Sequence, residues 1–97
     1  MVLVEMYADL KLKDMLVDHL FEHGYEDFYF FECFKYATSS LLTSEKEQVS
    51  GRKDYGLFKI FLEEQEASIL LEQVQHLFKK EVTFYLLPLT SIPESVP

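Results

Sequence analysis

The chain has 97 residues, of which 48% are hydrophobic, 15% aromatic and 27% charged. This length fits a single folded domain with a small core, which a partner subunit would help to stabilise. The formal net charge of −8 argues against nucleic acid and against anionic membrane surfaces as partners, because both attract clustered Lys and Arg side chains.

The start of the chain and its cysteine content predict a cytoplasmic protein. Residues 1–10 begin directly on a strand-like run, and they lack the basic segment and long apolar core of a signal peptide. No apolar stretch approaches the ~20 residues that a membrane-spanning helix needs, so we expect a protein that is not embedded in a membrane. Cys33 is the single cysteine, which leaves no internal disulfide and fits a reducing compartment.

The first half of the chain predicts a strand, a helix and a second strand. Residues 2–7 are apolar and rich in β-branched side chains, which favours a strand. Asp9 can cap the next helix, predicted over residues 11–23, and Gly24 then supplies a left-handed stop. Residues 26–36 are aromatic and strand-like. One stripe of the predicted helix carries Leu12, Met15, Leu16, His19 and Leu20.

The second half predicts a strand over residues 55–62, a helix over residues 64–79 and a strand over residues 82–87. The order β-α-β-β-α-β is that of the ferredoxin-like α+β fold, in which two helices cover one face of a four-stranded antiparallel sheet. We therefore expect one domain over residues 1–90 and a C-terminal tail over residues 91–97. The apolar face of the second helix carries Ala67, Leu70, Leu71, Val74, Leu77 and Phe78.

Both faces of the predicted sheet carry apolar side chains. In the second strand Phe30 and Phe34 point to one face, while Tyr29 and Phe31 point to the other. The two helices can cover only one face, and the other face would leave a larger apolar patch than a soluble monomer usually exposes. We therefore expect other subunits to cover it. The alternative is that the C-terminal tail folds back over the sheet.

The polar segment 37–54 is long for a connection inside a compact domain, and such loops are usually functional or disordered. Gly51 allows a turn that exposes backbone N–H groups, and the cations Arg52 and Lys53 favour an anion. Arg52 is also the only arginine in the chain. The alternatives are a solvated loop with a charged tip and a loop that packs against a neighbouring subunit. The candidate ligand-binding or partner-binding residues are Glu47, Gln48, Gly51, Arg52 and Lys53.

Three runs of residues carry a family resemblance: LVDHLFEHG at residues 16–24, SEKEQVSGR at residues 44–52 and FYLLP at residues 84–88. Together with the acidic ferredoxin-like chain and its long loop, they resemble the PII-like superfamily of trimeric signalling proteins. The resemblance is closest to an uncharacterised group of small bacterial PII-like proteins. It extends over residues 2–90.

This resemblance implies a homotrimer whose sheets face inward and whose loop 37–54 is the effector loop. It also implies that a small-molecule effector binds in clefts between subunits, and that a membrane transporter or efflux component is the target protein. PII proteins hold nucleotide phosphates with a glycine-rich turn after the third strand. Residues 62–66 here read LEEQE, with three carboxylates and no glycine, so we expect no nucleotide cofactor.

Two histidines allow an alternative interpretation. His19 and His23 are four residues apart on the predicted helix, a spacing that lets two imidazoles bind one metal. A protein of that kind would be similar to the CutA-type divalent-cation tolerance proteins, which share this fold. In the other interpretation, His19 is a helix residue at the edge of the core, and His23 is a favourable cation near the helix end.

The sequence predicts a binding protein rather than an enzyme. No motif in the chain arranges a nucleophile or an acid–base pair. Cys33 lies within an aromatic strand, which indicates a buried and unreactive thiol.

Overall fold

The computed structural model describes residues 1–37 and 51–90. This part of the chain contains four strands and two helices in the order β-α-β-β-α-β, as predicted. The elements are β1 (Val2–Asp9), α1 (Lys13–Glu22), β2 (Tyr29–Tyr36), β3 (Arg52–Leu62), α2 (Glu64–Phe78) and β4 (Val82–Pro88). Short 3-10 turns at Leu10–Leu12 and Lys79–Glu81 lead into α1 and β4.

The four strands form one antiparallel sheet with the spatial order β2-β3-β1-β4. The two central strands, β1 and β3, pair from Val2↔Leu62 to Asp9↔Tyr55. The edge strands are β2 and β4. With two helices on one face, this arrangement confirms the ferredoxin-like α+β fold.

The core lies between the two helices and one face of the sheet. Residues of β1 alternate between buried and half-buried, because successive side chains of a strand point to opposite faces. Each large apolar side chain removed from water contributes ~1.5–3 kcal/mol to the free energy of unfolding. The buried hydrophobic residues are Val2, Val4, Met6, Ala8, Leu12, Leu16, Leu20, Phe58, Ile60, Leu62, Ala67, Leu70, Val74, Phe78 and Val82.

Each helix buries a narrower arc than the sequence predicts. Met15 of α1 is 58% exposed and Leu77 of α2 is 57% exposed, so their predicted places on the apolar faces are wrong. A helix that rests on one sheet buries only the stripe that faces the sheet, and both residues lie at the border of that stripe.

The ends of α1 are set by Asp9 and Gly24. The Asp9 carboxylate accepts a hydrogen bond from the Lys11 N–H at 3.0 Å, so it caps a 3-10 turn that precedes α1. Gly24 has a φ of 84°, which confirms the left-handed stop.

Strand β3 begins at Arg52, so the segment predicted as loop 37–54 ends earlier than expected. Residues 52–54 pair with β2, from Tyr36↔Arg52 to Phe34↔Asp54. The Ala37 N–H donates to the Gly51 carbonyl oxygen at 3.4 Å, and Gly51 occupies a turn with a φ of 69°. Residues 38–50 and the tail 91–97 lie outside the described residues.

A glycine in the middle of β3 makes room for an aromatic ring. Gly56 is buried, and a Cβ added there would lie 2.7 Å from Cε1 and 3.1 Å from Cζ of Phe30. The Phe30 ring packs against Phe58, with 4.8 Å between the ring centroids, and the Lys13 ammonium lies 4.9 Å above it. The ring is therefore held on two sides and has little room to move away from a side chain at position 56.

We expect Gly56→Ala to lower the free energy of unfolding by ~1–3 kcal/mol, because the added methyl group forces the Phe30 ring out of its site. Urea denaturation measures the change. The matched control is the same substitution in a Phe30→Leu background, where the smaller side chain leaves space and the cost of Gly56→Ala falls. Equal costs in the two backgrounds would contradict the close approach of the ring as the cause.

Candidate functional site

The face of the sheet that does not contact the helices is rich in exposed aromatic residues. We call it the open sheet face. Strand alternation and register confirm the prediction that apolar residues lie on both faces of the sheet. The larger exposed residues of the open sheet face include Tyr29 (56% exposed), Phe31, Phe61 and Tyr85 (54%). The whole face consists of Leu3, Glu5, Tyr7, Asp9, Tyr29, Phe31, Cys33, Lys35, Lys53, Tyr55, Leu57, Lys59, Phe61, Thr83, Tyr85 and Leu87.

Three polar side chains lie together at the centre of this apolar face. The Tyr7 hydroxyl donates a hydrogen bond to Glu5 Oε1 at 3.1 Å, and Lys59 Nζ lies 3.5 Å from Glu5 Oε2. The Glu5 side chain is only 16% exposed. Burial raises the pKa of the Tyr7 phenol, and the adjacent Glu5 carboxylate raises it further. Tyr7 is therefore neutral at physiological pH and available as a hydrogen-bond donor.

The other charged groups of the open sheet face also have partners. Lys53 Nζ lies 3.2 Å from Asp9 Oδ2, and both side chains are largely shielded from solvent. The Lys35 ammonium lies 5.0 Å from the centroid of the Tyr55 ring, within range of a cation–π interaction. Both carboxylates of this face are thus paired with ammonium groups, which leaves the face without excess negative charge.

A shallow cleft of about 630 Å³ crosses the open sheet face. Its walls are mostly aromatic and aliphatic, with the Glu5 carboxylate, the Lys35 ammonium and several hydroxyl groups at intervals. A site of this character suits an apolar group that carries a few polar atoms, such as protruding side chains of a protein or a small organic molecule. The lining residues are Glu5, Tyr7, Cys33, Phe34, Lys35, Tyr55, Thr83, Tyr85, Leu86 and Leu87.

Cys33 is a half-buried free thiol on this cleft. Burial raises the pKa of the thiol, so the thiolate is scarce at neutral pH. The prediction that this thiol is buried is therefore only partly met, because Cys33 reaches the cleft.

The predicted binding residues of the loop do not converge on one side of the sheet. Arg52 and Lys53 are consecutive in β3, so their side chains point to opposite faces. The Arg52 guanidinium carbon lies 4.0 Å above the Phe34 ring, while Lys53 pairs with Asp9 on the open sheet face. The two cations thus do not form a joint anion site within the strand, and Gly51 forms the turn before them. Glu47 and Gln48 lie outside the described residues.

The two histidines of α1 do lie together, as their spacing predicts. Their ring centroids are 4.1 Å apart, and His23 Nδ1 lies 2.9 Å from the His19 carbonyl oxygen. His19 is buried, and neither its Nε2 atom nor the Oε1 atom of Gln73 has a hydrogen-bond partner. Within residues 1–37 and 51–90, no group of three or more His, Cys, Asp or Glu side chains is placed to hold a metal ion. Two imidazoles alone are too few ligands for a structural zinc site.

The polar group at the centre of the open sheet face was not found from the sequence. Glu5 and Lys59 are far apart in the chain, and only the register of β1 against β3 makes them direct neighbours. The available signal was Glu5, the single acidic residue within the apolar run 2–7, and Lys59, the single lysine within residues 55–62. A correct register prediction would have paired them.

Comparison with known proteins places the chain in a family. Residues 1–95 match a family model described as "Protein of unknown function (DUF3240)", and the chain belongs to that family. No curated protein matches the chain. Among the described residues, neither helix is long and apolar enough to cross a membrane.

The environment of His19 makes stability depend on pH. Burial lowers the pKa of His19 in the folded state, and the nearby His23 lowers it further, against opposing effects of Gln73 and Glu22. The unfolded chain therefore binds a proton at this site more readily, with a pKa near ~6.5. The stability that comes from a neutral His19 is present above that pH and is lost as pH falls through the lower pKa of the folded state.

We expect the wild type to lose free energy of unfolding relative to His19→Leu as pH falls below ~6.5, because the variant has no proton to bind there. Urea denaturation at several pH values measures the difference between the two proteins. His76→Gln, at an exposed position of α2, is the control and should keep the wild-type pH dependence. Parallel pH curves for wild type and His19→Leu would contradict the assignment.

Proposed function

We propose that this chain is a trimeric, PII-like regulatory protein of the cytoplasm that binds rather than catalyses. In this proposal the open sheet faces of three copies pack together. The segment between β2 and β3 binds a small-molecule effector or a target protein. The observation that carries the proposal is the open sheet face, which exposes aromatic residues on a domain whose two helices pack against the other sheet face.

Covering the open sheet face would remove a large apolar area from water. Tyr29, Phe31, Phe61 and Tyr85 are each about half exposed in the single chain. Exposed apolar patches of more than a few hundred Å² usually mark an interaction surface. Assembly through this face would leave the helices on the outside, where exposed acidic residues keep the particle soluble.

The connection between β2 and β3 is longer than the sheet requires. The two strands pair as far as Tyr36↔Arg52, and the Ala37 N–H still reaches the Gly51 carbonyl oxygen. About two residues suffice to join adjacent antiparallel strands. The segment 38–50 is therefore not needed to close the hairpin, which supports a role for it in binding. It contains the predicted binding residues Glu47 and Gln48.

The start of α2 argues for an effector other than a nucleotide. Glu63 is the N-cap residue of this helix, and Glu64 and Glu66 lie in its first turn. A helix N-terminus that binds phosphate needs accessible N–H groups and little negative charge. Three carboxylates at this end repel phosphate groups. The proposed target, by the resemblance to PII-like proteins, is a membrane transporter or an efflux component.

The test replaces residues 38–50 with an Asn-Gly turn, which suits a tight hairpin. We expect light scattering to find three chains of 11.5 kDa per particle both for the wild type and for this variant, because the open sheet face is unchanged. Affinity capture from native extract should recover a target with wild-type bait and lose it with the variant. Glu72→Gln, an exposed change on α2, is the control bait and should retain the target. A solitary wild-type chain at micromolar concentration, or an identical set of captured proteins, would refute the proposal.

The alternative function, CutA-type binding of divalent metal, has one observation in its favour, the contact between the His19 and His23 rings. We expect calorimetric titration with Zn²⁺ or Cu²⁺ to give the same weak heats for the wild type and for the His19→Ala, His23→Ala double variant, because the described residues supply no third ligand. Stoichiometric binding that disappears in the double variant would favour the metal function instead.

A further inference from the structure

We propose that the Glu5–Lys59–Tyr7 group is buried between copies of this chain and restricts their assembly to one stoichiometry. This inference deepens the proposed function and rests on its claim that copies pack through the open sheet face. It goes further in assigning the choice of stoichiometry to three named side chains.

The position of the ion pair is the first argument. Glu5 pairs across the sheet with Lys59 on one side and with Tyr85 on the other, and Lys59 pairs in turn with Tyr29. The charged residues therefore occupy the two middle places of a row of four, with a tyrosine at each end. The neighbouring rows place Leu3 beside Phe61 and Leu87, and Tyr7 beside Leu57 and Thr83. Surface ion pairs usually lie among other charged groups, whereas the neighbours of this one are aromatic and aliphatic side chains with a few hydroxyl groups.

The hydrogen bonding within the group is the second argument. The Glu5 carboxylate uses one oxygen for the Tyr7 hydroxyl and the other for the Lys59 ammonium. The Tyr7 ring also meets the Tyr85 ring edge to face, with 5.7 Å between centroids. Each polar group of the three thus has a partner in its own chain, so an apolar surface can cover this group without leaving a charge within it unpaired.

The distribution of charge indicates that the covering surface is a second copy of this chain. The chain carries a net charge of −8, so most of its surfaces repel another copy. On the open sheet face the carboxylates of Glu5 and Asp9 are each paired with a lysine. The third lysine of the face, Lys35, lies over the Tyr55 ring, so three lysines stand against two carboxylates and the face is slightly positive. Two copies therefore meet less repulsion through this face than through the acidic remainder of the surface. A basic partner would be drawn to that acidic remainder and would gain nothing from this face.

The energetics of such a pair explain why it would select stoichiometry rather than add affinity. Transferring two charges from water to an interface costs about as much as their attraction returns, so apolar replacements of similar size often bind as well or better. A buried polar group does favour the arrangements in which it stays paired, and it disfavours the others. An entirely apolar face would allow several packings of similar free energy.

The experiment compares four variants by native mass spectrometry and sedimentation velocity, with circular dichroism to verify folding. Glu5→Gln and Lys59→Met each leave one charge unpaired in the interface, and we expect each to weaken assembly by ~100-fold or more. The double variant Glu5→Gln, Lys59→Met leaves no unpaired charge. We expect it to assemble as tightly as wild type but into a mixture of particle sizes. The control variant, Glu72→Gln with Lys80→Met, removes one charge of each sign at exposed sites and should behave as wild type.

The outcomes distinguish a failure of this inference from a failure of the proposed function on which it rests. A wild-type chain that stays solitary refutes both. A wild type that assembles while the double variant keeps the same single stoichiometry refutes only the assignment to the ion pair. Single variants that assemble with wild-type affinity also refute it, since the charges would then be outside the interface. If a single variant fails to fold, the double variant still decides the matter, because it lacks the unpaired charge.

Discussion

The structure depends on one constraint: the sheet has two apolar faces, and the helix layer covers only one of them. Four strands present apolar side chains in both directions, but two helices can shield only one face. Because side chains alternate along a strand, β1 places Val4 and Met6 in the core and Leu3 and Tyr7 on the open sheet face. The same strands thus supply the core of the single chain and the apolar side chains of its exposed face. A register slip of one residue would exchange these two sets of side chains.

Strand β3 connects this open sheet face to the segment that we propose as the binding loop. It starts at Arg52, at the end of residues 38–50, and it runs through the centre of the sheet. Arg52 packs on Phe34 on the helix side, and Lys53 pairs with Asp9 on the open side. The two residues predicted to form one anion site instead lie on opposite faces of the sheet.

The fold was predictable from the sequence, but the centre of the candidate site was not. Periodicity is a local signal, and it was sufficient for the order of the elements, for the two apolar sheet faces and for the stop at Gly24. The prediction that Met15 lies on the buried face was wrong, because periodicity does not tell how wide an arc of a helix the sheet covers. Arg52 and Lys53 were assigned to a loop because charged residues are common in loops, whereas pairing with β2 decides their conformation. Prediction of the Glu5–Lys59 contact required the register of β1 against β3, which cannot be read from a single sequence.

Many functions use a ferredoxin-like sheet, so the residues on the face must decide among them. A sheet that binds single-stranded RNA offers aromatic rings for stacking together with unpaired basic groups for the phosphates. Here the rings of Tyr29, Phe31 and Tyr85 are present, but Lys53 and Lys59 are each committed to a carboxylate of the same face. The only arginine lies on the helix side of β3. The third lysine of the face, Lys35, lies over the Tyr55 ring. A face with exposed rings, whose lysines are held by its own carboxylates and rings, suits an apolar protein surface better than a phosphate backbone.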